Sequence, residues 1–228
     1  MWPMQYSRII LVGGFCEPLW MLKPLQHALR GCCHSAVETW QDVIVFRDLE
    51  KSVRLLREEL IRQQNRDVAI VSHRFGDWIV RQAIADLPDP PIRALVSVAP
   101  IMAASPFFKV LRCLGGSCVA EVPIMADVAR SAANVSIDPR IRRLVLWARI
   151  DPWVRPYSLV PQANLHVRWC WATHLTIVWQ PNVHRIIQAF LTADPDASAT
   201  DQARPTDVQD AWADNSQAIS SGSMGFTK

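Results

Sequence analysis

The chain has 228 residues, of which half are hydrophobic and a fifth are charged, and its formal net charge is +3. This composition is typical of a globular protein with one sizeable core. No run of about 18 uncharged apolar residues occurs, which argues against stable membrane insertion through a transmembrane helix.

The two ends of the chain differ in character. The start, MWPMQYSRIILVGGF, has no basic region followed by an apolar stretch and a cleavage site, so we expect no signal peptide. Residues 192–228 contain six Asp against one Arg and one Lys, a net of −4, with many small polar residues. Such a segment buries little apolar surface, and we predict a disordered acidic tail after a domain over residues 1–191.

The six cysteines and the dispersed positive charge exclude several kinds of site. No CxxC pair occurs, and Cys32 and Cys33 are adjacent, which suits neither a disulfide framework nor a zinc centre. We expect reduced thiols in a cytoplasmic protein, and a Cys113–Cys118 bridge is the alternative for an exported one. No nucleic-acid motif accompanies the basic residues of the body, so nucleic acid is not an expected partner.

The first third of the chain predicts two strands and two helices. Residues 8–14 (RIILVGG) form a continuous aliphatic run that ends in two glycines, which indicates a buried strand. Residues 18–29 have leucines close to one helical face. A short second strand is expected within residues 36–46. Asp48 is a plausible N-cap for a charged amphipathic helix over residues 48–65.

The remainder alternates between apolar runs of strand length and helical or irregular stretches. The strand candidates are residues 68–73, 92–99, 141–149 and 165–172, and residues 180–191 predict a closing helix with Pro181 in its first turn. This order predicts an α/β fold with a mostly parallel sheet covered by helices on both faces. Because ligands bind outside the carboxyl ends of such strands, the loops at residues 13–16, 73–76, 151 and 174 are the candidate site.

The turn SHRFG at residues 72–76 connects a predicted strand directly to a predicted helix. A tight strand–turn–helix of this kind is the setting of a nucleophile elbow, in which the central side chain is exposed at the tip. That motif normally has serine at its centre, and this chain has Arg74.

Four segments together resemble the α/β-hydrolase family in its single-domain esterase/lipase form, over about residues 8–191. They are GGF at 13–15, SHRFG at 72–76, ARIDPWV around Asp151, and the segment that runs from His174 into the last helix. The resemblance implies an acid at Asp151, a base at His174 and an oxyanion hole made by the backbone N–H of Phe75 with that of Phe15 or Cys16. It also implies carboxylic ester or lipid substrates and no cofactor or metal.

Arg74 conflicts with that chemistry, because a guanidinium stays protonated and has no lone pair with which to attack a carbonyl carbon. Loss of the nucleophile costs about 10⁶ in turnover, so we expect a weak or inactive hydrolase by the usual acyl-enzyme route. Ser72 and Cys16 are poor substitutes for the missing nucleophile, because Ser72 is expected within the strand and Cys16 lies in the first loop, on the wrong side of the site. The alternatives are an incidental replacement, a non-catalytic module that binds an anionic or acyl ligand at Arg74, and a scaffold whose pocket is filled. Asp151 and Asp77 are the candidate ion-pair partners of Arg74.

Residues 100–140 occupy the family's usual place for a cap. The segment contains an apolar cluster that includes Phe107 and Phe108, flanked by Lys109 and Arg112. It is either a helix that packs on the core or a lid that admits acyl chains. We expect Phe107, Phe108, Trp20 and Trp153 to contact a small-molecule ester, lipid or anionic ligand. The remaining histidines, His73 among them, fit no metal-ligand spacing and are interpreted as structural or exposed.

Overall fold

The computed structural model describes residues 6–43, 46–63 and 67–193. Six parallel strands form one sheet in the order β2-β1-β3-β4-β5-β6. The strands are β1 Tyr6–Val12, β2 Cys33–Trp40, β3 Val68–His73, β4 Ile92–Val98, β5 Arg142–Ile150 and β6 Leu165–Thr173. The helices are α1 Lys23–Leu29, α2 Leu49–Arg62, α3 Gly76–Ala85, α4 Pro106–Cys113, α5 Glu121–Met125, α6 Val128–Ser131 and α7 Pro181–Thr192. The predicted α/β architecture is confirmed.

Both faces of the inner strands β1, β3, β4 and β5 are largely buried, which explains why these strands are mostly aliphatic rather than alternating with polar residues. The edge strands β2 and β6 are partly exposed and more polar. Successive side chains point to opposite faces. Ile9 and Leu11 of β1 pack with α1 and α7, whereas Ile10 and Val12 pack with α2, α3 and the cap helices.

Local chemistry sets several boundaries. Asp48 caps α2 as predicted, because its carboxylate accepts the Lys51 N–H at 3.0 Å. The predicted helix over residues 18–29 is instead a 3₁₀ turn, Leu19–Leu22, followed by α1. Pro24 explains the break, since it has no N–H to donate to the carbonyl of Trp20. The second strand begins at Cys33, earlier than predicted, where Cys33 pairs with Tyr6. The predicted tail lies outside the described residues beyond Ala193.

The segment between β4 and β5 contains α4, α5 and α6, on the α2/α3 side of the sheet. Phe108 is buried in that core, and Phe107 is half exposed. In the described part of the chain, no helix is both long enough and apolar enough to cross a membrane. All six cysteines are unpaired, so the alternative Cys113–Cys118 bridge is absent.

The edge strand β6 has one face that helices do not cover. Trp171 on that face is 72% exposed, and Val167 and Trp169 are also exposed. The guanidinium of Arg149 on β5 lies 4.9 Å from the centre of the Trp171 ring. The opposite face of β6 contributes Cys170 and Ala172 to the core with α7.

Candidate active-site pocket

Arg74 lies at the tip of the turn between β3 and α3. Its φ of 56° is in the left-handed region, which a long side chain enters only at a cost of about 1–2 kcal/mol. The backbone N–H of Arg74 donates to the carbonyl of Val98 on the neighbouring strand at 3.0 Å, which fixes the turn against β4. The strand, tip and helix predicted from the sequence are therefore present.

Two glycines allow this turn to approach the first loop. A Cβ at Gly76 would lie 2.5 Å from the carbonyl oxygen of Val12, and a Cβ at Gly14 would lie 2.8 Å from the Cβ of Arg74. Both distances are shorter than real contacts allow. The loop after β1 and the tip of the turn consequently pack backbone against backbone.

Asp151 and His174 follow β5 and β6 and form a hydrogen-bonded pair. The Nδ1 of His174 lies 2.6 Å from the Oδ2 of Asp151. The other carboxylate oxygen of Asp151 accepts the backbone N–H groups of Trp153 at 3.0 Å and Val154 at 2.9 Å. This network orients the imidazole and leaves its Nε2 for the pocket.

The imidazole of His174 is almost fully buried, and this burial lowers its pKa below the usual value for histidine. The hydrogen bond to Asp151 acts in the opposite direction, and the positive charge of Arg74 adds to the lowering. His174 is therefore neutral at pH 7, with a proton on Nδ1 and a lone pair on Nε2.

A pocket of about 410 Å³ opens above these residues. Phe107, Phe108 and Leu111 of α4 form one wall, so this part of the cap both packs on the core and lines the pocket. The other lining residues are Phe15, Cys16, Arg74, Phe75, Ile101, Met125, Trp153, His174 and Leu175. The sequence-predicted residues meet here, with two exceptions. Asp151 lies behind His174, and Trp20 does not line the pocket: it is 58% exposed and stacks on Trp179 with ring centres 6.3 Å apart.

The guanidinium of Arg74 has no hydrogen-bond acceptor and no carboxylate within 4.0 Å among residues 6–43, 46–63 and 67–193. Burial lowers its pKa, and the negative charges of Glu17 and Asp151 act against that effect from a distance. Asp77 is not its partner, because the carboxylate of Asp77 binds the Nε of Arg81 at 2.8 Å. Asp151 is bonded to His174 instead.

Neither neighbouring hydroxyl nor thiol replaces a serine at the tip. Ser72 is buried within β3, and its hydroxyl contacts Asp77 and the carbonyl of Val96, each at 3.2 Å. Cys16 does line the pocket, with a φ of 51°. Burial and the charge of Glu121 raise the pKa of its thiol, so the reactive thiolate is scarce at neutral pH.

The residues that carry the predicted oxyanion-hole donors line the same pocket. In the described part of the chain, the backbone N–H groups of Phe15, Cys16 and Phe75 have no protein acceptor. These residues line the pocket around the tip of the turn. Donors in this arrangement are suited to an anionic oxygen.

The sequence analysis missed a second carboxylate–imidazole pair beside the first. The Oε1 of Glu17 lies 2.5 Å from the Nδ1 of His73, and both side chains are buried. Glu17 belongs to no recognised motif, although a carboxylate three residues after the glycine pair and a histidine just before the tip were visible in the sequence. No group of His, Cys, Asp and Glu among the described residues could hold a metal ion.

Comparison with known proteins supports the fold through structure alone. No protein-family model matches the sequence, and no curated protein matches it. A carboxylesterase from Bacillus subtilis is 12% identical, with a TM-score of 0.55, and the match covers 83% of this chain and 85% of that chain. A hydrolase from Oleispira antarctica is 14% identical, with a TM-score of 0.55 and coverage of 82% and 92%.

Lipase B of Aspergillus fumigatus is 12% identical, with a TM-score of 0.60, and the match covers 83% of this chain and 53% of the lipase. At these identities the similarity establishes the architecture and not the activity. The parallel six-stranded sheet, its helical layers and these neighbours show that the chain has the α/β-hydrolase fold.

Proposed function

We propose that this chain is an α/β-hydrolase of esterase/lipase type in which Arg74 occupies the place of the nucleophilic serine, so that it is weak or inactive by the acyl-enzyme route. We further propose that its pocket binds a carboxylate with an apolar chain. One observation carries the proposal: a guanidinium without a protein partner stands at the tip of the turn, inside an otherwise apolar pocket.

The hydrolytic part rests on what surrounds Arg74. In a serine hydrolase the base takes the proton of the nucleophile, the acid orients the base, and backbone N–H groups bind the oxyanion. His174, Asp151 and the N–H groups around the turn are suited to these tasks. Arg74 has neither a lone pair nor a removable proton for attack. Every element except the nucleophile therefore remains available.

The binding part rests on electrostatics. Desolvating a guanidinium without pairing it is unfavourable, and the two nearest carboxylates are engaged with His73 and His174. A ligand carboxylate at Arg74 would supply the missing partner through charge-assisted hydrogen bonds. It would also accept from the unpartnered backbone N–H groups of the turn.

The apolar wall specifies the rest of the ligand. Phe107, Phe108 and Leu111 of α4 and Met125 of α5 line the pocket beyond Arg74, and no second Lys or Arg side chain among the described residues lines it. A single anionic head with a hydrocarbon tail fits this division better than a multiply charged phosphate ester does. We propose an acyl carboxylate, the product side of the esterase reaction, as the ligand class.

The first experiment restores the nucleophile. We expect the unmodified protein to hydrolyse p-nitrophenyl butyrate no faster than its Arg74→Ala variant. Arg74→Ser should raise the rate by at least about a hundredfold, a small part of the ~10⁶ that a nucleophile contributes. A fluorophosphonate probe should label the serine variant alone. Rapid hydrolysis and labelling of the unmodified protein would contradict the proposal.

The second experiment measures binding by calorimetry with octanoate and, as the neutral match, octanol. We expect octanoate to bind the unmodified protein and to lose its advantage over octanol in Arg74→Gln, which removes the charge but keeps a polar side chain. Arg54→Gln on α2 is the control, because Arg54 is exposed and does not line the pocket. Equal octanoate binding by Arg74→Gln would refute the anionic anchor.

We also propose that the protein acts in the cytoplasm, without stable insertion into a membrane. The unpaired state of all six cysteines, three of them exposed, supports a reducing compartment.

A further inference from the structure

Glu17 contacts three parts of the site although it does not line the pocket. Its Oε2 accepts the backbone N–H of Gly14 at 2.6 Å, and its Oε1 lies 2.5 Å from the Nδ1 of His73. Its own carbonyl accepts from the side chain of Gln41 beyond β2. Because Glu17 is 0% exposed, its carboxylate is held entirely by protein groups.

His73 extends this network to the last loop. Its Nε2 lies 3.3 Å from the backbone carbonyl of His174, and its Nδ1 faces the carboxylate of Glu17. Both ring nitrogens thus face oxygen atoms that accept hydrogen bonds. Only the doubly protonated ring donates to both of them.

The surroundings of Glu17 favour the charged form of its carboxyl group. Burial alone would raise the pKa of its carboxyl group. The charge and hydrogen bond of His73, the N–H of Gly14 and the charge of Arg74 outweigh burial, and the net effect is a lowered pKa. Glu17 is therefore ionised and has two strong donors.

We infer that Glu17 and an imidazolium form of His73 are positioning residues that fasten the loop after β1, the turn at Arg74 and the loop of His174 to one another. They act through these loops, because neither side chain lines the pocket. Gly14 precedes the oxyanion-loop residues Phe15 and Cys16, so the bond from its N–H sets where their N–H groups point. The bond from His73 fixes the backbone of His174, whose ring is set separately by Asp151.

The consequence for ligand or transition-state binding rests on the proposed function, whereas the protonation of His73 does not. The two can therefore fail separately. A loosened first loop would displace the N–H donors without removing any group that contacts the ligand, and a displacement of about 1 Å in such a site costs about a hundredfold in rate.

The first test is the long-range ¹H–¹⁵N spectrum of the histidine side chains in the unmodified protein at pH 7. We expect both nitrogens of His73 to be protonated, with two slowly exchanging N–H signals, and His174 to be protonated on Nδ1 alone. A neutral His73 ring with one bare nitrogen would overturn the inference, whatever the protein binds or hydrolyses. This test needs no variant, so it remains decisive if substitutions of these buried residues prevent folding.

The second test combines Glu17→Gln with Arg74→Ser, using Glu58→Gln as the matched surface control. Glu58 pairs only loosely with Arg54 at 3.9 Å on α2. We expect kcat for p-nitrophenyl butyrate to fall about a hundredfold with KM within about twofold, since the displaced donors serve the transition state. The Gly14 amide should also lose protection from hydrogen exchange.

The outcomes separate the two proposals. If the Arg74→Ser variant shows no activity, the proposed function fails, and the His73 spectrum and Gly14 protection still decide the positioning inference. If it is active and Glu17→Gln leaves kcat and the Gly14 amide unchanged, the positioning inference fails alone. A uniform loss of binding and rate, with KM rising as kcat falls, would indicate general loosening and would also contradict it.

Discussion

Two arginines seven residues apart on the same strand–turn–helix unit behave in opposite ways. Arg81 on α3 is completely buried and donates to the carboxylate of Asp77 and to the carbonyls of Ile101, Ser131 and Ala133. Arg74 at the tip of the turn borders the pocket and, within the described ranges, donates from its side chain to no protein group. The side chain of Arg81 therefore connects α3 to the cap, whereas the side chain of Arg74 connects no two elements of the described fold.

The difference supports separate roles for these two guanidinium groups. The fold surrounds the guanidinium of Arg81 with acceptors, because each unpaired N–H in the interior is unfavourable. The guanidinium of Arg74 is left unpaired by the described residues at the lining of a mostly apolar pocket, and under the proposed function an anion would be its partner.

Arg81→Met should destabilise the protein by about 3–5 kcal/mol, because it leaves Asp77 as an uncompensated buried charge and removes a donor from three carbonyls. Arg74→Met should cost less than about 1 kcal/mol, since the Arg74 side chain makes no hydrogen bond or ion pair with the described residues. Guanidinium denaturation of both variants measures the contrast. Equal losses of stability would show that the two side chains contribute equally to the fold and would contradict the distinction between them.

Arg74→Met should weaken octanoate binding by about 10- to 150-fold, corresponding to the ~1.5–3 kcal/mol of a charged hydrogen bond. The octanoate affinity of Arg74→Lys should lie between those of the unmodified protein and Arg74→Met, because an ammonium retains the charge but not the bidentate geometry of a guanidinium. Calorimetric titration provides the affinities. An unchanged affinity in Arg74→Met would place the carboxylate elsewhere.

The affinity for octanoate should rise as pH falls through the neutral range. In the free protein, burial lowers the pKa of His174, and its Nε2 carries a lone pair that repels a carboxylate. A bound carboxylate favours the protonated ring and raises that pKa, so binding takes up a proton. The octanoate affinity should change by at most about tenfold per pH unit between the pKa of His174 in the free protein and its pKa in the complex. Above both pKa values the affinity should not depend on pH.

The control for this pH dependence is His174→Gln, which should bind octanoate with little change between pH 6 and pH 8. Titrations in buffers of different ionisation enthalpy should detect proton uptake in the unmodified protein and none in the variant. A dependence that survives in His174→Gln would assign the proton to another group.

Arg74→Gly should stabilise the free protein by about 1 kcal/mol, because glycine adopts a left-handed φ without strain. The same replacement at Arg54, inside α2, should destabilise by about 1 kcal/mol. Thermal unfolding of the pair reports the opposite signs. A loss of stability in Arg74→Gly would mean that the Arg74 side chain makes stabilising contacts within the protein, contrary to the role given to it here.

The sequence was sufficient for the fold and for the place of the site. Aliphatic runs ending in glycine, histidine or aspartate mark strands, and the carboxyl ends of parallel strands meet at one edge of a sheet. That rule alone brings Arg74, Asp151 and His174 to the same edge, where the structure has them. The turn at Arg74 could be predicted because only two residues separate the six-residue strand β3 from helix α3.

Side-chain partners were less predictable, because they depend on packing between distant segments. Glu17 and His73 are 56 positions apart, and nothing periodic connects them. Trp20 lies in a 3₁₀ turn and stacks on Trp179 instead of lining the pocket, a partner 159 positions away that no local pattern indicates. The Asp77–Arg81 pair, at a helical spacing of four, was within reach of the sequence and was passed over.

The open face of β6 has a consequence for the behaviour of many copies in solution. An edge strand with exposed tryptophans is a template on which a second molecule can add. Arg149 lies over Trp171, and Arg168 stands exposed on the same strand, so two approaching edges bring like charges together. We expect these cations to disfavour self-association, so their replacement by neutral residues should appear as concentration-dependent light scattering before any change in the melting temperature.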